Sequence, residues 1–506
     1  MKPTLSITTA ALFGLAAAIV PLQADGQSFG DDWKKEFNAT AKAHAQDFED
    51  TARSHFEKIR SNLNEQFAKT IEGVWASYNV LEGIPAPVRP EPERPVVAPE
   101  VTPQKPAPAP VELIPGKLSV PAAPIKPIDL AVPENPRPRL AEEPRVMQFD
   151  FYGTVCQIRP CDLSWLHAGT EPGSVASAWK KVSSDKQTQQ LVDDCVRLRE
   201  SMSLPDIGYM WLLEAVAAEV CPGDKSSQAF LVTYLLNQSG YDARVGTTRS
   251  GLTVLFHPDM LIYANKRVEI DGKDYYIRDK ELADQNVFTY KENFYKDGIP
   301  LRMAPDRLPL LGEKGPEHEY SSSRWLTEPE FKVTVNEPTV KFLGDYPQIS
   351  WEHYARAPLS REFKENVVET IRQRTKGENL NALDGVRKIL SFIQYGFDYK
   401  TDQNQYGYEK VNFPDENFYY PFNDCEDRSI LFAALVHEIY GLDVVLLHYP
   451  AHLAAAVDFG DPTVKGDYFN LGGKHYVVCD PTFIGAPVGM CMPQYRGVQP
   501  EIFTLK

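Results

Sequence analysis

Three residues of this chain stand in an order that supports thiol chemistry: Cys425, His452 and Asp480. A cysteine becomes a useful nucleophile when it ionises, and both a helix N-terminus and a nearby imidazole favour the thiolate. Asn423 and Asp424 are residue types that cap a helix whose first turn begins at Cys425. That placement sets the sulfur where backbone N–H groups point outward, and the same groups can stabilise an oxyanion. The apolar face Ile430, Leu431, Ala434, Leu435 and Ile439 would bury the helix and hold the sulfur in place. His452 opens one strand-like run and Asp480 ends another, so on adjacent antiparallel strands they can meet on one face. An aspartate accepting from one imidazole nitrogen fixes the tautomer and leaves the other nitrogen to take the thiol proton. The expected reaction is attack by Cys425 on an amide carbonyl, protonation of the leaving amine by His452, and a thioester resolved by water or an amine.

Other polar residues carry plainer readings. Asp427 and Arg428 are expected to form a structural ion pair or a helix cap, and His437, His448 and His475 to pack or lie on the surface. His437-Glu438 lacks the second histidine of a metalloprotease helix. A zinc site from His448, His452 and a cysteine is the metal alternative, and the expectation is no metal. No glycine-rich phosphate loop or dinucleotide fingerprint is present, so no cofactor is expected.

The motif recurs about 200 residues upstream. Cys221-Pro222-Gly223-Asp224-Lys225-Ser226, an apolar stretch to Leu236 and Gly240 parallel Cys425-Glu426-Asp427-Arg428-Ser429, an apolar stretch to Ile439 and Gly441. Lys273 to Asp279 then parallels Lys474 to Asp480, which sets Gly251-Leu252 opposite His452-Leu453. The first copy thus reads Cys221, Gly251, Asp279 and has no base; a duplicated fold with a degenerate first copy is expected.

The elements that must position these residues read as α+β. Helical periodicity runs over Ser177 to Arg199, Gly208 to Val220, Ser360 to Arg374 and Asn381 to Tyr395. Strand-like runs cover Phe331 to Val335, Asp443 to Tyr449, Leu453 to Phe459 and Tyr476 to Cys479, predicting an antiparallel sheet. Ahead of them, an apolar stripe from Trp33 to Trp75 predicts one long helix, packed on its own protein or on a second copy. Prolines every few residues between Pro85 and Pro144 predict an extended, semi-rigid spacer.

Whole-chain properties bound the function. The 506 residues suffice for two or three domains, and 43% hydrophobic content is that of a folded protein. A net charge of −16 without a Lys/Arg cluster argues against nucleic acid as partner. Lys2, the apolar run Ala10 to Val20 and Ala24 read as a secretory signal, so export to the periplasm, cell surface or medium is expected. Seven cysteines in an oxidising compartment suggest up to three disulfides and one free thiol, with Cys156–Cys161 and Cys195–Cys221 as candidates.

The segments Phe422 to Ser429, Pro450-Ala451-His452 and Cys479-Asp480-Pro481-Thr482 resemble the transglutaminase-like superfamily, as does the upstream stretch Phe392 to Tyr399. In that family a cysteine begins a core helix, followed by histidine and aspartate on neighbouring strands. The resemblance spans about Trp351 to Pro493 and implies a papain-like fold with Cys425, His452 and Asp480 as catalytic triad. Leu453-Ala454-Ala455-Ala456 departs from the aromatic and acidic residues that often follow the family's histidine. The helix-plus-proline leader and twin repeats also resemble exported transglutaminase-like proteins of Bacteroides-type bacteria. The expected organisation is a signal peptide (1–24), an amphipathic helix (25–83), a Pro-rich linker (84–145), a degenerate transglutaminase-like lobe (146–325) and a catalytic lobe (326–506). Two functions follow: an exported cysteine enzyme acting on a protein or peptide substrate, by hydrolysis ahead of cross-linking, or a non-catalytic peptide- or glycan-binding module with a relic triad.

Overall fold

The computed structural model describes residues 61–86, 94–99, 117–118, 146–279, 286–292, 298–312, 315–320 and 331–505. The secretory signal and the stripe from Trp33 to residue 60 lie outside the described residues, as does most of the Pro-rich stretch. Asn64 onward forms one compact unit. No helix among the described residues is long and apolar enough to cross a membrane.

The unit begins with the last turns of a helix (α1, here residues 64–71), whose Phe67, Ala68 and Ile71 are buried. Asn64 accepts a hydrogen bond from Trp179 Nε1 at 3.1 Å, and the Trp179 ring meets Phe67 edge-on at 4.5 Å. The helix ends at Ile71, so Trp75, the last member of the expected stripe, lies instead in strand β1 (Trp75–Tyr78). Strand β2 (Lys117–Leu118) follows, then the hairpin β3 (Met147–Phe151) and β4 (Thr154–Ile158).

Four helices come next: α2 (Pro172–Ser184), α3 (Lys186–Ser201), α4 (Asp206–Val220) and α5 (Lys225–Gln238). The single helix expected over Ser177 to Arg199 is broken at Asp185. Its extended backbone ends α2, and its carboxylate accepts from Thr188 N to cap α3. Strands β5 (Ala243–Thr248), β6 (Gly251–Phe256), β7 (Arg267–Ile270), β8 (Lys273–Ile277) and β9 (Val287–Tyr290) then build a sheet of order β1-β9-β5-β6-β8-β7. Leu81 bridges Arg267, so the chain leaving β1 reaches the opposite edge and curls the sheet towards a barrel.

After the pair β10 (Glu317–Tyr320) and β11 (Phe331–Thr334), a second group of helices begins: α6 (Glu337–Gly344), α7 (Trp351–Ala355) and α8 (Arg361–Phe363). A π-helical turn, Lys364–Val368, joins α8 to α9 (Glu369–Gly377), and α10 (Ala382–Gly396) follows. Then come β12 (Asp398–Tyr399), α11 (Asp402–Gln405), a 3-10 turn Pro414–Phe418, β13 (Phe422–Asn423) and α12 (Cys425–Tyr440). Gly441 takes the left-handed conformation that closes α12. Strands β14 (Asp443–Tyr449), β15 (His452–Asp458), β16 (Tyr468–Leu471), β17 (Lys474–Cys479) and β18 (Glu501–Thr504) complete a second sheet, of order β2-β18-β14-β15-β17-β16.

Each sheet therefore has the same construction. A buried helix (α5 or α12) feeds a hairpin (β5–β6 or β14–β15) with a two-residue turn; a second hairpin adds at one edge and a returning strand at the other. The mixed α+β architecture with antiparallel sheets and its internal repeat are present.

Two expectations need correction. The Pro-rich stretch is not a spacer throughout: Val97 bridges Ile484, and Lys117–Leu118 pairs in parallel with Glu501–Ile502. Extended proline-rich backbone lies close to β geometry and keeps an N–H at each non-proline residue, so short bridges form without a full ladder. All seven cysteines are buried free thiols, so neither Cys156–Cys161 nor Cys195–Cys221 is a disulfide. Cys156 faces the core from β4 against Met202 Sδ, while Cys161 lies beyond that strand; Cys195 is inside α3, and Cys221 ends α4.

The second sheet depends on a close backbone crossing. A Cβ on Gly466 would lie 2.1 Å from Gly489 Cα, and both glycines have positive φ. Asp467 N–H donates to Gly489 O at 2.6 Å there, and Gly489 N–H donates to Val478 O at 2.7 Å. Gly489→Ala is expected to cost about 2–4 kcal/mol, read as a lowered unfolding midpoint in urea.

Candidate functional site: a cysteine, a histidine and buried carboxylates

Cys425 is the first residue of α12, with Asp424 at the N-cap position. Its Sγ lies 3.3 Å from Leu453 N and 3.2 Å from Glu426 Oε2, so the thiol accepts from the β15 backbone and donates to its neighbour's carboxylate. Ser429 Oγ, one turn along α12, donates to Leu453 O at 2.8 Å. These contacts pin the start of the helix to the start of β15, where His452 stands.

His452 and Asp480 meet as the sequence predicts. Strand β15 pairs with β17 so that Ala455 faces Cys479, which makes His452 and Asp480 diagonal neighbours on one face. His452 Nε2 donates to Asp480 Oδ2 at 2.8 Å. Asp480 Oδ1 accepts from Thr482 N at 2.9 Å and Phe483 N at 3.0 Å, fixing the carboxylate. With Nε2 committed, Nδ1 is the nitrogen left to exchange a proton with a thiol. The Tyr495 ring lies parallel to the imidazole, with centroids 5.3 Å apart, and its hydroxyl donates to Pro450 O. Ala451, immediately before His452, holds φ +62 in the Pro450-Ala451 turn. A left-handed alanine costs about 1 kcal/mol, and such strain collects at functional sites. Cys425, His452 and Asp480 are only 2%, 3% and 2% exposed.

Two local readings change. Asp424 occupies the N-cap position, but its side chain does not cap α12; Oδ2 instead accepts from Asp402 N at 3.3 Å. Asp427 and Arg428 do not pair with each other. Successive helix positions point about 100° apart. Asp427 accepts from Asn412 N and Nδ2 at 2.8 and 2.9 Å, while Arg428 donates to Asn423 Oδ1 and Phe397 O.

The degenerate copy is also re-aligned. Cys221 ends α4 and is not at the start of α5, so it is not the counterpart of Cys425. The first position of α5 is Lys225, and the hydrogen-bonding role falls to the next residue, Ser226, whose Oγ accepts from Leu252 N at 3.2 Å as Cys425 Sγ accepts from Leu453 N. Gly251 stands where the second copy has His452; a Cβ there would come 2.9 Å from Ser226 Oγ. The first site thus reads Ser226, Gly251, Asp279. The pair Asp224 and Asp424, each one residue before its helix, aligns the two helix starts and sets Lys225 opposite Cys425, so the one-residue shift to Ser226 shows only in the hydrogen bond to Leu252.

Sequence reasoning also missed a set of buried acids beside α12. Oxygens of Asp402, Asp424 and Asp427 lie within 4.8 Å of one another, as do those of Asp402, Glu409 and Glu426. All are hard oxygen donors, the type that could hold calcium or magnesium. The cluster also carries its own donors. Lys410 N–H donates to Asp402 Oδ2, and Lys410 Nζ donates to Glu416 Oε1 at 2.8 Å. Burial, then the charges of Asp427 and Glu426, push the Asp402 carboxyl up to about 10. Burial, then the Glu426 charge, raises Asp427 to about 7. His448, part of the zinc alternative, lies 3.5 Å from Glu501 and packs edge-on against Trp351.

A carboxyl whose folded pKa lies above its unfolded value binds more protons folded than unfolded, so these groups lose stability as pH rises. For Asp427 the window runs from about 4 to about 7, and for Asp402 from about 4 to about 10. Asp402→Asn, whose amide oxygen can still accept from Lys410 N–H, is therefore expected to narrow the loss of melting temperature between pH 5 and pH 8. Thermal melts of both proteins at the two pH values check this; an unchanged difference would contradict the assignment.

No protein-family model, curated protein or solved structure matches this chain.

Proposed function

We propose that this chain is a cysteine acyl-transfer enzyme acting on peptide or amide bonds, with Cys425 as nucleophile, His452 as base and acid, and Asp480 as the group that orients His452. The observation that carries the reading is the buried His452 Nε2–Asp480 Oδ2 hydrogen bond at 2.8 Å, beside a cysteine at a helix start. The resemblance of these segments to the transglutaminase-like superfamily supports it.

In this reading the thiol proton moves to His452 Nδ1 and the sulfur bonds to the carbonyl carbon. The C–N bond then breaks as Nδ1 returns the proton to the departing amine. Water attacks the thioester, giving its proton to the same nitrogen, and the thiol leaves. Asp480 stabilises the imidazolium in each half. The α12 N-terminus favours both the thiolate and the developing oxyanion. For Cys425 to react, its proton must leave the Glu426 carboxylate for the imidazole. Export to the periplasm, cell surface or medium remains part of the proposal, resting on Lys2, Ala10 to Val20 and Ala24. Hydrolysis is favoured over cross-linking because water is the abundant acceptor there.

A second reading is a non-catalytic peptide- or glycan-binding module. It is favoured by the burial of Cys425 and by its contact with Glu426, which opposes a thiolate. The first copy, with Gly251 at the position of His452, has the same sheet construction without a base there.

Alkylation by iodoacetamide across pH, with the Cys425-containing peptide followed by mass spectrometry, separates the two. As an enzyme, the wild type labels at pH 7 at least about tenfold faster than His452→Ala. Asp480→Asn falls between them, and Ser226→Ala labels like wild type. Equal rates for wild type and His452→Ala would favour the binding module.

A further inference from the structure

We propose that the main-chain edge at Ile484 is a peptide-binding subsite of the Cys425 site, and that the chain's own segment Pro95–Pro99 occupies it. The catalytic meaning of this occupancy rests on Cys425 being a nucleophile; the occupancy itself does not.

Ile484 N–H donates to Val96 O at 2.8 Å, and Ala98 N–H donates to Ile484 O at 2.7 Å, so Val97 and Ile484 form a parallel bridge. This is how an extended peptide adds to an exposed edge: main-chain bonds give affinity, and alternate side chains give selectivity. The alternation is present. Val97 is 68% exposed, while Val96 and Ala98 pack against a small apolar cluster of Phe483, Ala486 and Met492, with Met490 and Tyr495 at its margin. This cluster is separate from the main core. The partner chemistry it fits is an extended peptide with small or medium apolar side chains two residues apart.

The subsite touches the triad at two points. The loop bearing Ile484 begins at Asp480, and Phe483 N–H is one of the donors fixing Asp480 Oδ1. Tyr495, at the margin of the apolar cluster, is the ring stacked on His452. A peptide seated on Ile484 therefore lies against the residues that hold the base, and the segment now there blocks that seat. Pro95 and Pro99 suit the segment to the task. Each fixes its own φ, so little chain entropy is lost on docking, and neither has an N–H that the bridge would leave unpaired. Tethering raises the effective concentration of this occupant to the order of millimolar, above that of most free peptides.

The test uses the full chain and two variants. Val96→Asp/Ala98→Asp places charge on the apolar cluster. Ala98→Pro removes one bridging N–H in a stretch that already favours extended backbone. Alkylation of Cys425 is measured at pH 9.5, where bulk pH favours the thiolate without help from His452 and Cys425 keeps the same Glu426 neighbour in every variant, so the ratio of variant to wild-type rate reads access. Both variants are expected to label about tenfold faster than wild type, the scale of losing one or two such hydrogen bonds. A synthetic hexapeptide of residues 94–99 is expected to slow the variants back towards wild type. A fluorescent form of it should bind the variants and not the wild type. Unchanged labelling in Ala98→Pro, with a wild-type melting temperature, would overturn the proposal, as would equal peptide binding by all three proteins. Failure of the nucleophile reading shows separately, as His452-independent labelling at pH 7.

Discussion

The site depends on one clamp between a helix start and a strand start. Leu453 offers its N–H to Cys425 Sγ and its C=O to Ser429 Oγ, so one residue of β15 holds one turn of α12 at both ends. A thiol is a weak acceptor, and the Ser429 bond supplies most of the fixity. His452 precedes Leu453 directly, so the clamp sets the backbone of His452 beside the start of α12. The hairpin turn, the Tyr495 stack and the Asp480 carboxylate then settle the orientation of the ring. The N–H half of the clamp recurs in the first copy, from Leu252 to Ser226 Oγ, where the preceding residue is Gly251. The fold therefore keeps this contact where no histidine precedes it.

Charge is handled unusually around α12. Asp424, Glu426 and Asp427 enter its first turn and are all buried, close to Asp402 and Glu409. Acidic groups at a helix N-terminus are stabilised by the backbone N–H groups there. Burial of several together nevertheless raises Asp402 and Asp427 far above ordinary carboxylates, and Lys410 offsets only part of the charge. Local stability near the thiol is thus tied to protonation of acids that are not themselves in the triad. Natural proteins carry such costs most often where a site requires them.

Much of the architecture was legible from residue pattern. The hairpin β14–β15, the helix beginning at Cys425 and the His452–Asp480 pairing follow from apolar runs, a left-handed Gly441 and the period-2 geometry of strands. The repeat was legible too, because Lys273 to Asp279 and Lys474 to Asp480 share their pattern. Its alignment at the nucleophile was not. Cysteine identity drew Cys221 to Cys425, whereas helix starts are set by the residue before the first turn, Asp224 and Asp424. The break at Asp185 was misread for a related reason, since an aspartate inside a helical period can cap a new helix rather than sit on an exposed face.

The sequence by itself determined the order of chemical groups and the elements that carry them, since helix and strand periodicity are local properties of the chain. Tertiary structure alone decided which distant groups share an environment. It placed Asp402 and Glu409 beside the first turn of α12, set Tyr495 on His452, and seated Val96 to Ala98 on Ile484. It also left all seven cysteines as buried free thiols. Such contacts join residues tens to hundreds of positions apart. They arise from packing of whole elements and from main-chain groups that every residue carries, so no local residue type announces them.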